Sequence, residues 1–157
     1  MYPYLLLVAA TAVAAIFATP VRRKVWTALA VVGAAAVAAV AVAVRALTVG
    51  EVVLARFSTQ FFGDEIIVVD RLSAVFLLIM AVASVATLIY SKGYVEHYLK
   101  RMSTAHLSLH YVSLVLLAVS MMTVVVAGGG FSFLLSWELM TISSFILILF
   151  EAERTEV

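Results

Sequence analysis

The sequence predicts an all-α integral membrane protein: five transmembrane helices, with an extended or β-hairpin-like outer loop between the second and the third. Three observations carry that expectation. Hydrophobic residues make up 66% of the 157 and charged residues only 12%, far from the balance of a soluble domain. Several apolar runs approach or reach the roughly 20 residues that a helix needs to cross a bilayer. The basic residues gather between those runs rather than inside them. A net charge of +1 gives no reason to expect nucleic acid as a partner; the expected surrounding is lipid. With no cysteine, disulfides, thiolate metal sites and cysteine-held iron–sulfur clusters are excluded, and no cofactor is expected in this chain.

The first run covers 4–19 and is apolar from its start. The basic cluster Arg22-Arg23-Lys24 follows it, the reverse of the order in a cleaved signal peptide, so it reads as a retained helix ending at Pro20. The second run, 25–44, is almost entirely Ala and Val, small side chains that let helices approach closely in lipid. Residues 48–70 do not read as helix. Val52-Val53-Leu54, the run from Phe57 to Phe62 and Ile66-Ile67-Val68-Val69 are β-branched or aromatic stretches around Gly63-Asp64. That pattern suggests a hairpin or an extended cover, although an amphipathic interfacial helix would accommodate part of it. The third run, 72–90, follows Asp70-Arg71, which is either an ordinary boundary pair or a helix start capped by Asp70. The fourth and fifth, 109–127 and 131–150, are separated only by Gly128-Gly129-Gly130, a tight turn that makes them an antiparallel pair. No repeat or low-complexity linker intervenes, so 1–157 reads as a single membrane domain.

Charges in the loops give an orientation. The first loop carries Arg22, Arg23 and Lys24, and the third carries Lys92, Lys100 and Arg101. The second has Arg45, Arg56 and Arg71 diluted by Glu51, Asp64, Glu65 and Asp70. Positive-inside counting puts loops one and three in the cytoplasm, with the N-terminus outside and the C-terminus inside. The expected location is a multi-pass position in the cytoplasmic membrane.

Glu138 stands inside the fifth run, where a carboxylate near the bilayer centre costs roughly 2.5–3.5 kcal/mol on insertion scales. The default reading of such a residue is a site on a proton or ion route. The plain alternative is a packing carboxylate, neutral and hydrogen-bonded to Ser136, Thr141 or a neighbouring serine. No Lys or Arg falls inside the predicted spans, so an ionised Glu138 takes its partner from elsewhere or from internal water. His106 and His110 are spaced i, i+4 at the start of the fourth span; two ligands on one helix face do not make a metal site. They read as interfacial polar residues, with proton uptake through His110, the deeper of the two, as the functional alternative. Ser120, Thr123, Ser143 and Ser144 read as packing and helix-bonding groups. No phosphate loop, nucleophile elbow or zinc motif is present.

The string Ser136-Trp137-Glu138-Leu139-Met140-Thr141-Ile142-Ser143-Ser144-Phe145, running on to Phe150-Glu151, resembles the fifth-helix motif of the antiporter-like subunits found in respiratory complex I, Mrp cation/proton antiporters and membrane-bound hydrogenases. Its Trp-Glu-Leu-Met start and Phe-Glu finish are most similar to the large membrane subunit of formate hydrogenlyase and hydrogenase-4 type complexes. A second string, Val69-Asp70-Arg71-Leu72-Ser73-Ala74-Val75-Phe76 continuing to Ile89-Tyr90-Ser91-Lys92-Gly93-Tyr94, is similar to the opening and close of the family's third helix. The resemblance implies proton or sodium translocation within a membrane-bound redox complex of the hydrogenase or NADH:quinone oxidoreductase (NADH dehydrogenase) type. The ion-translocating chain itself would not be the redox catalyst. It also implies that the glutamate matching Glu138 pairs with a lysine on a later helix, supplied by other membrane subunits, with redox subunits as further partners. The match covers only the opening part of the family pattern, as expected of a truncated or split N-terminal portion. A non-conducting structural or assembly subunit is the other reading.

Overall fold

The computed structural model describes residues 16, 18–59, 63–96 and 104–152. They form helix α1 (Val21–Val49), an antiparallel hairpin of β1 (Val52–Thr59) and β2 (Gly63–Val69), and helices α2 (Arg71–Glu96), α3 (Thr104–Val126) and α4 (Gly130–Ala152). All four helices are long and apolar enough to cross a membrane. Many of their large apolar side chains point outward: Val37 and Val82 are each 71% exposed and Ile148 66%. In water such a surface would be an aggregation hazard; against acyl chains it is the ordinary exterior. These helices correspond to the second to fifth predicted spans. The first, 4–19, lies outside the described residues apart from Ile16, Ala18 and Thr19.

Most of the expected boundaries move outward. Helix α1 starts directly after Pro20 and runs to Val49, so Arg23 and Lys24 lie in its first turn and Arg45 falls inside the helix, just before its last turn. Hydropathy marks the part of a helix that sits in hydrocarbon, whereas backbone hydrogen bonding continues into the interface. Gly50 stops α1 at φ +98°, a conformation that other residues seldom adopt, and its N–H reaches Ala46 O at 2.9 Å. The hairpin replaces the interfacial-helix alternative. Its register runs from Val52 opposite Val69 to Thr59 opposite Gly63, with one irregularity between Val53 and Ala55.

Helix packing follows from the small residues. Buried Ala36, Ala43 and Ala46 of α1 meet Ala74, Leu77 and Ala81 of α2 in one cluster at the hairpin end, which Val69 and Met122 close. On α2 the buried positions are Ala74, Leu77, Ala81, Ser84, Leu88 and Ser91, a 3-4 alternation along one seam. A second cluster, at the opposite end, joins Val25, Ala28 and Val32 of α1 to Leu88 of α2 and to Leu107, Tyr111 and Val115 of α3. Helices α1, α2 and α3 thus contact one another in turn. Among the described elements α4 packs on α3 and touches β2, and has no contact with α1 or α2.

Candidate functional site

Glu138 lies eight residues into α4, about 12 Å below Gly130 at 1.5 Å per residue. Its side chain is exposed, on the side of α4 turned away from the other helices. Leu134, Leu135, Ile142 and Phe145, at i−4, i−3, i+4 and i+7, share that side and are each more than half exposed. The opposite side carries the buried residues Ser132, Ser136 and Ser143, and this stripe of small residues is what α4 turns toward α3. Ser143 Oγ donates to Leu139 O at 2.6 Å and Thr141 Oγ1 to Trp137 O at 3.0 Å, so both hydroxyls bond to their own helix. Thr141, one of the two hydroxyl partners expected for Glu138 on its own helix, is thus bonded to the backbone instead.

His110 occupies a different setting. It is buried at the α2–α3 contact, where its Nε2 and Ser91 Oγ share a hydrogen bond of 3.0 Å whose direction depends on the imidazole tautomer. Ser113, one turn further along the same side of α3, is buried too, and its hydroxyl has no hydrogen-bond partner among the described residues. His106 is exposed, so the i, i+4 pair is split between a surface ring and a buried one. By helical rise His110 lies about 24 Å from the Val126 end of α3, roughly 12 Å deeper than Glu138 along the antiparallel pair. The two candidates for ion movement are not brought together. No group of three or more His, Cys, Asp or Glu side chains that could hold a metal ion occurs among the described residues.

Asp70 is a helix cap. Its Oδ1 accepts from Ser73 N at 2.7 Å while its carbonyl accepts from Ala74 N at 2.9 Å, which satisfies the third and fourth amides of α2. The Ser73 backbone bond, with help from its hydroxyl, holds the Asp70 carboxyl below the usual range.

Three residues counted only as loop charges have defined structural positions. Lys24 falls in phase with Ala28, Val32 and Ala36, and its side chain is wholly buried, with Nζ donating to Ile16 O at 2.7 Å. At the same end, the Lys92 ammonium sits 5.1 Å from the ring centre of Trp26, a cation–π contact between α2 and α1. Glu65 is only 3% exposed. One of its oxygens accepts from Phe131 N at 3.0 Å and the other from Ser132 N at 3.1 Å and from the Ser132 hydroxyl. It therefore caps α4, the helix that carries Glu138. Foremost the Ser132 hydroxyl, and with it the two amides, hold the Glu65 carboxyl below its ordinary range. The glycine turn makes room: a Cβ on Gly129 would collide with the Glu65 carboxylate, and one on Gly128 would come within 2.5 Å of Ile66 Cγ2. Gly128 N donates to Ile66 O at 2.8 Å and Ala127 bridges Ile67, so the turn is bonded to the inner edge of the hairpin.

The sequence held signals for two of them. Glu65 alternates with Ile67 and Val69 on the inward row of β2, where a charge needs a partner, and Lys24 is in phase with the packing stripe of α1. No protein-family model, characterised protein or solved structure matches the chain.

Proposed function

We propose that this chain is the N-terminal helical portion of an antiporter-like subunit that moves protons or sodium ions within a membrane-bound redox complex. Glu138 is its conduction carboxylate. The observation that carries the reading is the position of Glu138 on the free side of α4, among Leu134, Leu135, Ile142 and Phe145. A carboxylate facing lipid at that depth has a cost that a cation on a further helix removes. A basic residue there, the lysine that the motif around Trp137-Glu138 implies, would pair with Glu138 and shift its proton affinity. Moving one charge across the membrane involves about 2.3 kcal/mol per 100 mV, so a modest change in that pairing suffices to gate transfer. His110, buried at the basic end, is the second candidate, taking protons from the cytoplasmic side under the charge-derived orientation.

The test is Glu138→Gln in the assembled complex. Loss of ion translocation with intact assembly supports the reading, and unchanged translocation sinks it. The runner-up, a non-conducting structural or assembly subunit, draws support from the same uncovered apolar side of α4, which would bind a neighbour whether or not Glu138 conducts. It expects Glu138→Gln to leave transport unchanged, while a bulky or charged change at the exposed Ile142 weakens assembly.

A further inference from the structure

We propose that Glu65 is a positioning residue for Glu138, clipping α4 at its first turn and so setting the depth and rotation at which Glu138 is presented. The inference rests on the reading of Glu138 as a working carboxylate. Three features carry it. First, Glu65 engages Phe131 N and Ser132 N with separate oxygens and adds the Ser132 hydroxyl. Two consecutive amides held by one rigid carboxylate fix direction as well as distance, as a single cap would not. Second, the rest of the α4 anchorage is one-sided. The helix leans on α3 alone among the described helices, along the stripe of Ser132, Ser136 and Ser143. That face of small residues permits close approach, and Leu147 further along the helix packs against the core cluster, so both holds extend beyond the first turn that Glu65 engages. Third, Glu138 follows Phe131 by seven residues, two turns on nearly the same side, so a rotation at the clip reaches Glu138 undiminished through a rigid helix.

The hairpin is built to hold this contact. Glu65 lies opposite Phe57 in the register, and the bonds from Gly128 to Ile66 and from Ala127 to Ile67 fix β2 against the turn. The titratable side chains that the elements packed on α4 bring are His106, His110 and Tyr111 of α3 with Asp64 and Glu65 of β2. Of these, Glu65 is the one bonded to the first turn of α4.

The experiment reads the proton affinity of Glu138 directly, by the pH dependence of its carboxyl infrared band in the full chain in lipid. Subtraction of the Glu138→Gln spectrum assigns the band. Glu65→Gln, close in shape but uncharged, should move the Glu138 midpoint by about half a unit or more, a threefold change in proton affinity. A helical, thermally cooperative variant with an unmoved midpoint overturns the proposal. Should Glu65→Gln fail to fold, Glu65→Cys provides the second arm, since the chain has no other cysteine to react. Alkylation with iodoacetate restores a carboxylate one atom longer than glutamate, and iodoacetamide adds a neutral cap of the same length. Recovery of the midpoint with the first alone supports the clip; equal behaviour of the two overturns it. Unchanged transport in Glu138→Gln would instead refute the conduction role, and the infrared midpoint separates that outcome from failure of the clip.

Discussion

Two carboxylates at the hairpin end, Glu65 and Asp70, do the same work for different helices. Each accepts from first-turn amides that have no intrahelical partner, and each has its proton affinity lowered by doing so. The sign of the pH effect follows. A carboxyl with a depressed affinity in the folded chain binds fewer protons than it does unfolded, so its contribution is complete above the ordinary carboxylate range and disappears as pH falls through and below it. The unfolding midpoint in detergent should therefore fall as pH is lowered from neutral through that range. Gly129→Ala should show a lower midpoint at neutral pH and a shallower acid dependence, because its Cβ displaces the Glu65 carboxylate. Gly130→Ala, which meets nothing within 4 Å, serves as the control with wild-type behaviour. Equal acid slopes in Gly129→Ala and the parent would show that the clip contributes nothing to the titration.

At the scale of elements, the stability of the bundle depends on how closely its small-residue seams pack. Ala43 of α1 is wholly buried in the cluster shared with Ala74, Leu77 and Ala81 of α2. Ala43→Leu adds a branched side chain where there is no room, and overpacking of this kind costs about 1–3 kcal/mol. Val37→Leu, on the outer side of the same helix, should be close to neutral. Thermal unfolding of the two variants in the same detergent decides it, and equal midpoints would mean that α1 and α2 are not tightly joined. These seams explain what was legible in the sequence. Run length gave the four described helices, β-branched runs around Gly63-Asp64 gave the hairpin, and the triple glycine gave the α3–α4 turn. The partners of polar residues were not legible, because Ser91 meets His110 across α2 and α3, and Glu65 meets Ser132 at a separation of 67 residues. Lys24 was misplaced because a basic triplet beside a proline resembles a loop, and only its phase with Ala28 and Val32 assigns it to the packed side.

At the scale of the molecule, the two ends differ in chemistry. One gathers Arg23, Lys24, Lys92 and His106; the other carries the hairpin, with Glu51, Asp64, Glu65 and Asp70 set against Arg45, Arg56 and Arg71. The bonds between β2 and the 127–132 turn put the hairpin and the α3–α4 connection at the same end, as alternating spans require. Positive-inside bias then predicts that the hairpin end faces outward and the Lys92 end faces the cytoplasm. The absence of native cysteines makes the test direct. Ser58→Cys, exposed on β1, should react with a membrane-impermeant maleimide applied to intact cells. Gly93→Cys, exposed with nothing within 4 Å of the position of its Cβ, should react only after the membrane is opened. The reverse pattern would invert the topology: Glu138 would then lie about 12 Å from the cytoplasmic rather than the outer end of its helix, and His110 would lose its role in proton uptake from the cytoplasm.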